Sequence, residues 1–158
     1  MIERRLEGHA QNESSVREAI RAELSRSGSS HNSLHSSLLR LADRSRYTAL
    51  VSTNQDRMFD SAARSLRLKL KSYCISQIPR PSLGPEFQGI LYLHGALPNR
   101  NYSGEMVFTE QDFGEYYFRR RTIPDFIYDA SRLFSLVFVG YRASASSDAI
   151  FAQLSCGG

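Results

Sequence analysis

Ten residues limit what this chain can fold into: Tyr47-Thr48-Ala49-Leu50-Val51-Ser52-Thr53-Asn54-Gln55-Asp56. The stretch opens as a short run with apolar and β-branched side chains. It stops abruptly in small polar groups, a carboxamide and a carboxylate, and a helical pattern follows at once. A buried strand that delivers polar side chains at its carboxyl end is how open α/β sheets build ligand sites. Two later stretches repeat the plan. Ile90-Leu91-Tyr92-Leu93 runs into His94-Gly95, and Leu136-Val137-Phe138-Val139 runs into Gly140-Tyr141. If all three are parallel strands, Asn54, Asp56, His94 and Gly140 gather along one edge of one sheet.

Helical patterns fill the intervals. Ser14 or Ser15 can cap a helix with Val16, Ala19, Ile20 and Leu24 at helical spacing. A second, from about 32 to 44, is expected to bury Leu34, Leu38, Leu39, Leu41 and Ala42. A third, from about 56 to 68, turns Met58, Phe59, Ala62, Ala63 and Leu66 inward. A short strand over 70–75 and a proline-rich loop lead to the strand at 89–93. Thr109 reads as an N-cap with Asp112 three residues on. Its helix carries Phe113, Tyr116, Tyr117 and Phe118 as a core-facing stripe. Pro124 suits the first turn of a helix ending near Leu133. The strand at 135–140 follows, and a last helix starts near Asp148. Residues 1–13 are polar and expected to fray. This alternation predicts an α/β fold, Rossmann-like, with a mostly parallel sheet.

Bulk properties narrow the classes. A chain of 158 residues suits one domain, 1–158, with a helical pair over 14–45 and a sheet core over 46–155. The apolar runs stop well short of the ~20 residues that span a bilayer. No apolar segment follows the first few residues, so the cytoplasm is the expected location and no membrane is involved. Cys74 and Cys156 are the only cysteines, which excludes a four-cysteine zinc site and leaves reduced thiols as the expectation. His31 and His35 lie four apart, but no matching third ligand is near, so capping or packing is expected of both and no metal site is assigned. Net charge is +4 and the cations are almost all arginine. Arg119-Arg120-Arg121 is the densest cluster, read as a solvated helix end rather than a nucleic-acid site, because no aromatic ladder or recognised motif accompanies it.

Each rim residue has an ordinary explanation as well as a functional one. Asn54 and Asp56 precede a helix, where either is a good N-cap. His94-Gly95 can be a tight turn with a satisfied histidine. Gly140 can serve close helix–strand packing alone. Their shared location is what raises the functional reading.

The order Thr53-Asn54-x-Asp56, Leu93-His94-Gly95, Val107-Phe108-Thr109-Glu110-x-Asp112-Phe113 and Phe138-Val139-Gly140-Tyr141 resembles the sirtuin-like, or silent-information-regulator, NAD-binding domain. It is closer to the bacterial NAD-hydrolase branch, known from anti-phage defence, than to the protein deacylases. The similarity covers roughly residues 16–154. It implies NAD+ as substrate and partner, cleavage of its nicotinamide–ribose bond, and a place in antiviral defence. By the same resemblance, Asn54 and His94 are the catalytic pair, and Thr53, Asp56, Gly95, Gly140 and Tyr141 bind the nucleotide. Such domains accompany effector modules, so other protein modules or a homo-oligomer are further partners, whereas nucleic acid is not expected. The rival reading is an inactive remnant that binds NAD, ADP-ribose or a protein.

The sequence departs from the family in four places. No apolar strand with a Gly-Ala-Gly-type phosphate loop precedes residue 47, so a chain truncated at both ends is expected. Gln55 stands where tyrosine or isoleucine is common, and Arg142 where serine is usual. The cysteines of a deacylase zinc site are missing.

Overall fold

The computed structural model describes residues 15–25, 30–44, 49–81, 88–99 and 104–140. The segment expected to fray, Tyr141, Arg142, Cys156 and the helix expected from Asp148 all lie outside the described residues.

The run before Thr53 forms strand β1 (Ala49–Ser52). A three-residue strand, β2 (Ser72–Cys74), comes next in the chain. The run before His94 forms β3 (Gly89–Tyr92). The three make one parallel sheet in the spatial order β1-β3-β2. Successive side chains of a strand point to opposite faces. Leu91 and Leu93 therefore enter one core, with Ile123, Phe126 and Ile127, while Ile90 and Tyr92 enter another, with Leu39, Phe59 and Ala62. A strand covered on both faces is apolar throughout, as β3 is. Helices on both sides of a parallel sheet give the expected Rossmann-like three-layer sandwich.

The helices are α1 (15–24), α2 (Ser33–Ala42), α3 (Met58–Ser65), α4 (Glu110–Phe113) and α5 (Thr122–Leu133), with a π-helical turn over Gly114–Arg119. Capping sets their starts. The Asn32 carboxamide oxygen accepts from the N–H groups of Leu34 and His35, and the His35 ring returns a bond to the Asn32 backbone. That ring also meets the edge of Phe59 at 4.9 Å. His31 bonds the Ser61 hydroxyl at 3.1 Å, so both histidines serve capping and packing. At α4 the Asp112 N–H donates to the Thr109 hydroxyl, and the Thr109 N–H donates to the Asp112 carboxylate.

Three expectations need correction. In α2 only Leu39 is fully buried; Leu34 and Leu41 remain 57% and 61% exposed, because the covering layer is narrower than the apolar stripe. Helix α1 docks less through Val16, which is exposed, than through arginines. Arg17 grips Asp112 at 2.5 Å and the Met106 carbonyl, and Arg21 donates to the Gly104 carbonyl. Residues 135–140 form no strand, and Val137 is 79% exposed. An apolar β-branched run supplies propensity, but a strand also needs backbone pairing, and 135–140 pairs with none of the three described strands.

Candidate functional site at the carboxyl edge of the sheet

Strands β1 and β3 pair with Ser52 opposite Tyr92. Asn54 and His94 each lie two residues further on, so they emerge from adjacent strands at the same edge. The Leu93 N–H donates to the Ser52 carbonyl at 2.9 Å, which carries the pairing past the strand ends. From this edge the chain leaves β1 for α3 on one face and leaves β3 for the π turn and α5 on the other. Such a divergence is a topological switch point, where open α/β sheets hold ligands.

Local chemistry ends β1 at this point. The buried Ser52 hydroxyl accepts the Asn54 N–H at 3.1 Å and closes a turn. Thr53 and Asn54 are thereby exposed at the rim. The Asn54 carboxamide has no hydrogen bond among the described residues. Asp56 accepts the Met58 N–H through Oδ1 at 3.0 Å, a turn bond one residue ahead of the α3 N-cap, Arg57, so it is not itself the cap. Its other oxygen has no partner among the described residues.

His94 is half-buried, and its Nε2 lies 2.8 Å from the Tyr117 hydroxyl. Tyr117 is 2% exposed and stacks on Phe113 at 3.9 Å. Tyr117 lies in the π turn. Tyr116 and Tyr117 are both buried there, whereas Phe118, expected in the core-facing stripe, is 67% exposed. π turns recur at functional sites. Gln55 ties the two loops: its Nε2 donates to the Val107 carbonyl at 2.8 Å, and its carbonyl accepts the Leu97 N–H at 2.9 Å. Motif reading missed Tyr117 and Gln55. The only signal for Gln55 was its departure from the family residue; for Tyr117 there was none.

Gly95 has φ +79°, and a Cβ there would sit 1.9 Å from the Glu105 carbonyl oxygen. The glycine permits the backbone bridge to Met106. Gly140 has φ +68°, is exposed, and a Cβ there would meet nothing within 4 Å. The described structure brings Thr53, Asn54, Asp56, His94 and Gly95 to one rim.

Other groups are accounted for. Arg119 and Arg120 both pair with Glu115, and Arg121 pairs with Asp125. The Arg119 hydrogen bond holds the Glu115 carboxyl down at about 2, with Arg120 adding to it. Burial pushes the Cys74 thiol up to about 11 against the pull of Arg57, which keeps it protonated near neutrality. Among the described residues no cluster of three or more His, Cys, Asp or Glu could hold a metal ion. Nor is any described helix long and apolar enough to cross a membrane.

Residues 48–153 match the SIR2-like domain family. The chain belongs to that family. An uncharacterized protein of Sinorhizobium fredii (strain NBRC 101917 / NGR234), y4cA, is 31% identical over 140 residues. The alignment covers 82% of this chain but only 11% of that relative. No solved structure matches the chain. SIR2-like domains are NAD-related, and the donor set at the rim fits such a ligand: a carboxamide and a carboxylate oxygen that are unpaired among the described residues, and an imidazole held by a buried phenol.

Proposed function

We propose that this SIR2-like domain is an NAD+ glycohydrolase that cleaves the nicotinamide–ribose bond, in the manner of the antiviral-defence branch. The carrying observation is the emergence of Asn54 and His94 from adjacent parallel strands at a switch point. Breaking this glycosidic bond builds positive charge on the ribose, while nicotinamide leaves as a neutral base. No acid is needed for the leaving group. The protein has to orient the ribose, favour the developing charge and activate water. His94 is the general base towards a ribose hydroxyl or water, since imidazole titrates near the working pH. Asn54 orients the ribose or the water. Asp56 takes the nicotinamide carboxamide on the oxygen its bond to Met58 leaves over. Thr53 and Gly95 line the approach, and Tyr117 fixes the imidazole.

A second reading is a domain that binds NAD, ADP-ribose or a protein without turnover. No Gly-Ala-Gly-type loop occurs in the sequence to cradle the pyrophosphate, which favours it. Nicotinamide release from NAD+ by the pure protein tests the first reading. Turnover abolished by His94→Ala supports it, and release no faster than that of the variant overturns it. Calorimetry with ADP-ribose then separates a silent binder from a protein that takes no nucleotide.

A further inference from the structure

The chain holds a second constellation, away from Asn54 and His94. Helix α3 and the turn after it carry Arg64-Ser65-Leu66-Arg67-Leu68-Lys69-Leu70-Lys71, which includes both lysines of the protein. Leu66, Leu68 and Leu70 pack inward against the core beneath α3. The alternating cations are therefore displayed outward, and Arg64, Arg67, Lys69 and Lys71 are all exposed. No carboxylate occurs in the sequence between Asp60 and Glu86. Asp60 is itself committed, to Arg57 at 2.7 Å and to the Ser72 hydroxyl. Among the described residues none of the four outward cations has an ion-pair partner, in contrast to the arginines at 119–121.

Beside these cations, along the outer edge of β2, lies a cleft of about 640 Å³ lined by Arg57, its partner Asp60, Arg64, Lys71, Tyr73, Gln77 and Asn99, among others. That volume lies within the ~300–1,000 Å³ of small-ligand sites. Its floor is rigid. The Arg57 guanidinium donates to the Leu97 carbonyl at 2.6 Å and lies over the Tyr92 ring at 5.6 Å. Neither Asn54 nor His94 lines it.

We propose that this cleft is a binding site for a phosphate-bearing anion of di- or triphosphate size. Arg64 and Lys71 line the cleft with no ion-pair partner among the described residues, while Arg57 and Asp60 balance each other, and two uncompensated positive charges call for a multiply charged anion, more than one carboxylate brings. Guanidinium groups match phosphate oxygens in pairs. The side chains of Tyr73, Gln77 and Asn99 offer a ring and amides to whatever the phosphates carry.

Titrating the full chain calorimetrically with inorganic triphosphate, ATP and single-stranded oligonucleotides of increasing length tests this. Triphosphate is expected to bind, with affinity falling as salt rises. Arg64→Gln with Lys71→Gln is expected to weaken it about tenfold or more, since charge-assisted contacts are lost. Arg119→Gln with Arg120→Gln, and separately His94→Ala, are expected to leave it unchanged. Affinity that levels off at triphosphate assigns the site to free polyphosphates or nucleotides, and affinity that climbs with oligonucleotide length assigns the same contacts to a nucleic-acid backbone. No triphosphate binding, or equal weakening by the Arg119/Arg120 pair of substitutions, overturns the proposal.

Discussion

The hydroxyl of Tyr117 lies 2.8 Å from Nε2 of His94, joining a π turn on one face of the sheet to the end of its central strand. Under the proposed function, Tyr117 would position the imidazole and not touch substrate. Tyr117→Phe keeps the ring on Phe113 and removes only the hydroxyl. It is expected to lower the kcat of nicotinamide release about tenfold while KM and Tm stay nearly unchanged. A large loss of Tm with unchanged kcat would make Tyr117 a packing residue only.

Gly95→Ala is expected to destabilise the fold by about 3 kcal/mol or more, because positive φ and a collision with a backbone oxygen act together. Urea unfolding measures it. A loss under ~1 kcal/mol would mean that the bridge between Gly95 and Met106 is dispensable.

Arg67 has φ +58°. It sits where α3 ends: the Leu68 N–H reaches back to the Ala63 carbonyl at 2.9 Å, and the Arg67 N–H to that of Arg64 at 3.0 Å. This left-handed closing position is one that glycine fills without strain. Arg67→Gly is expected to raise stability by roughly 0.5–1 kcal/mol, read as a higher urea midpoint at constant slope.

Asp112 links pH to stability. Burial alone would raise its pKa, but bonds from the Thr109 and Phe108 N–H groups and from Arg17 outweigh it, so the folded-state value lies below the usual one. A group with a depressed folded pKa stabilises above its unfolded pKa, and the contribution fades as pH falls through the folded value. Acid unfolding from pH 5 downward is therefore expected to be shallower in Asp112→Asn, with stability near pH 7 lower by about 2 kcal/mol. An unchanged acid limb would remove Asp112 from that account.

Much of this was legible in the sequence because local rules decided it. Leu50 and Leu91 lie in runs whose apolar character stops at Thr53 and His94, so both strands and their polar exits could be read. Thr109 and Asp112 showed their capping box by spacing alone. What escaped depended on neighbours. Residues 136–139 have strand propensity, but nothing in their own sequence tells whether an edge awaits them. Tyr117 sits in a π turn, which no residue pattern announces. The docking of α1 by Arg17 and Arg21 was hidden because a helix was expected to dock through its apolar side chains.

The central claim is that Asn54 and His94 face one bound nucleotide. Side-chain NMR of both residues during titration with ADP-ribose tests it most directly, whether or not the chain turns over NAD. The Asn54 amide and His94 imidazole signals are expected to move together along one isotherm with a single Kd. Movement of one without the other, or two different Kd values, would contradict it.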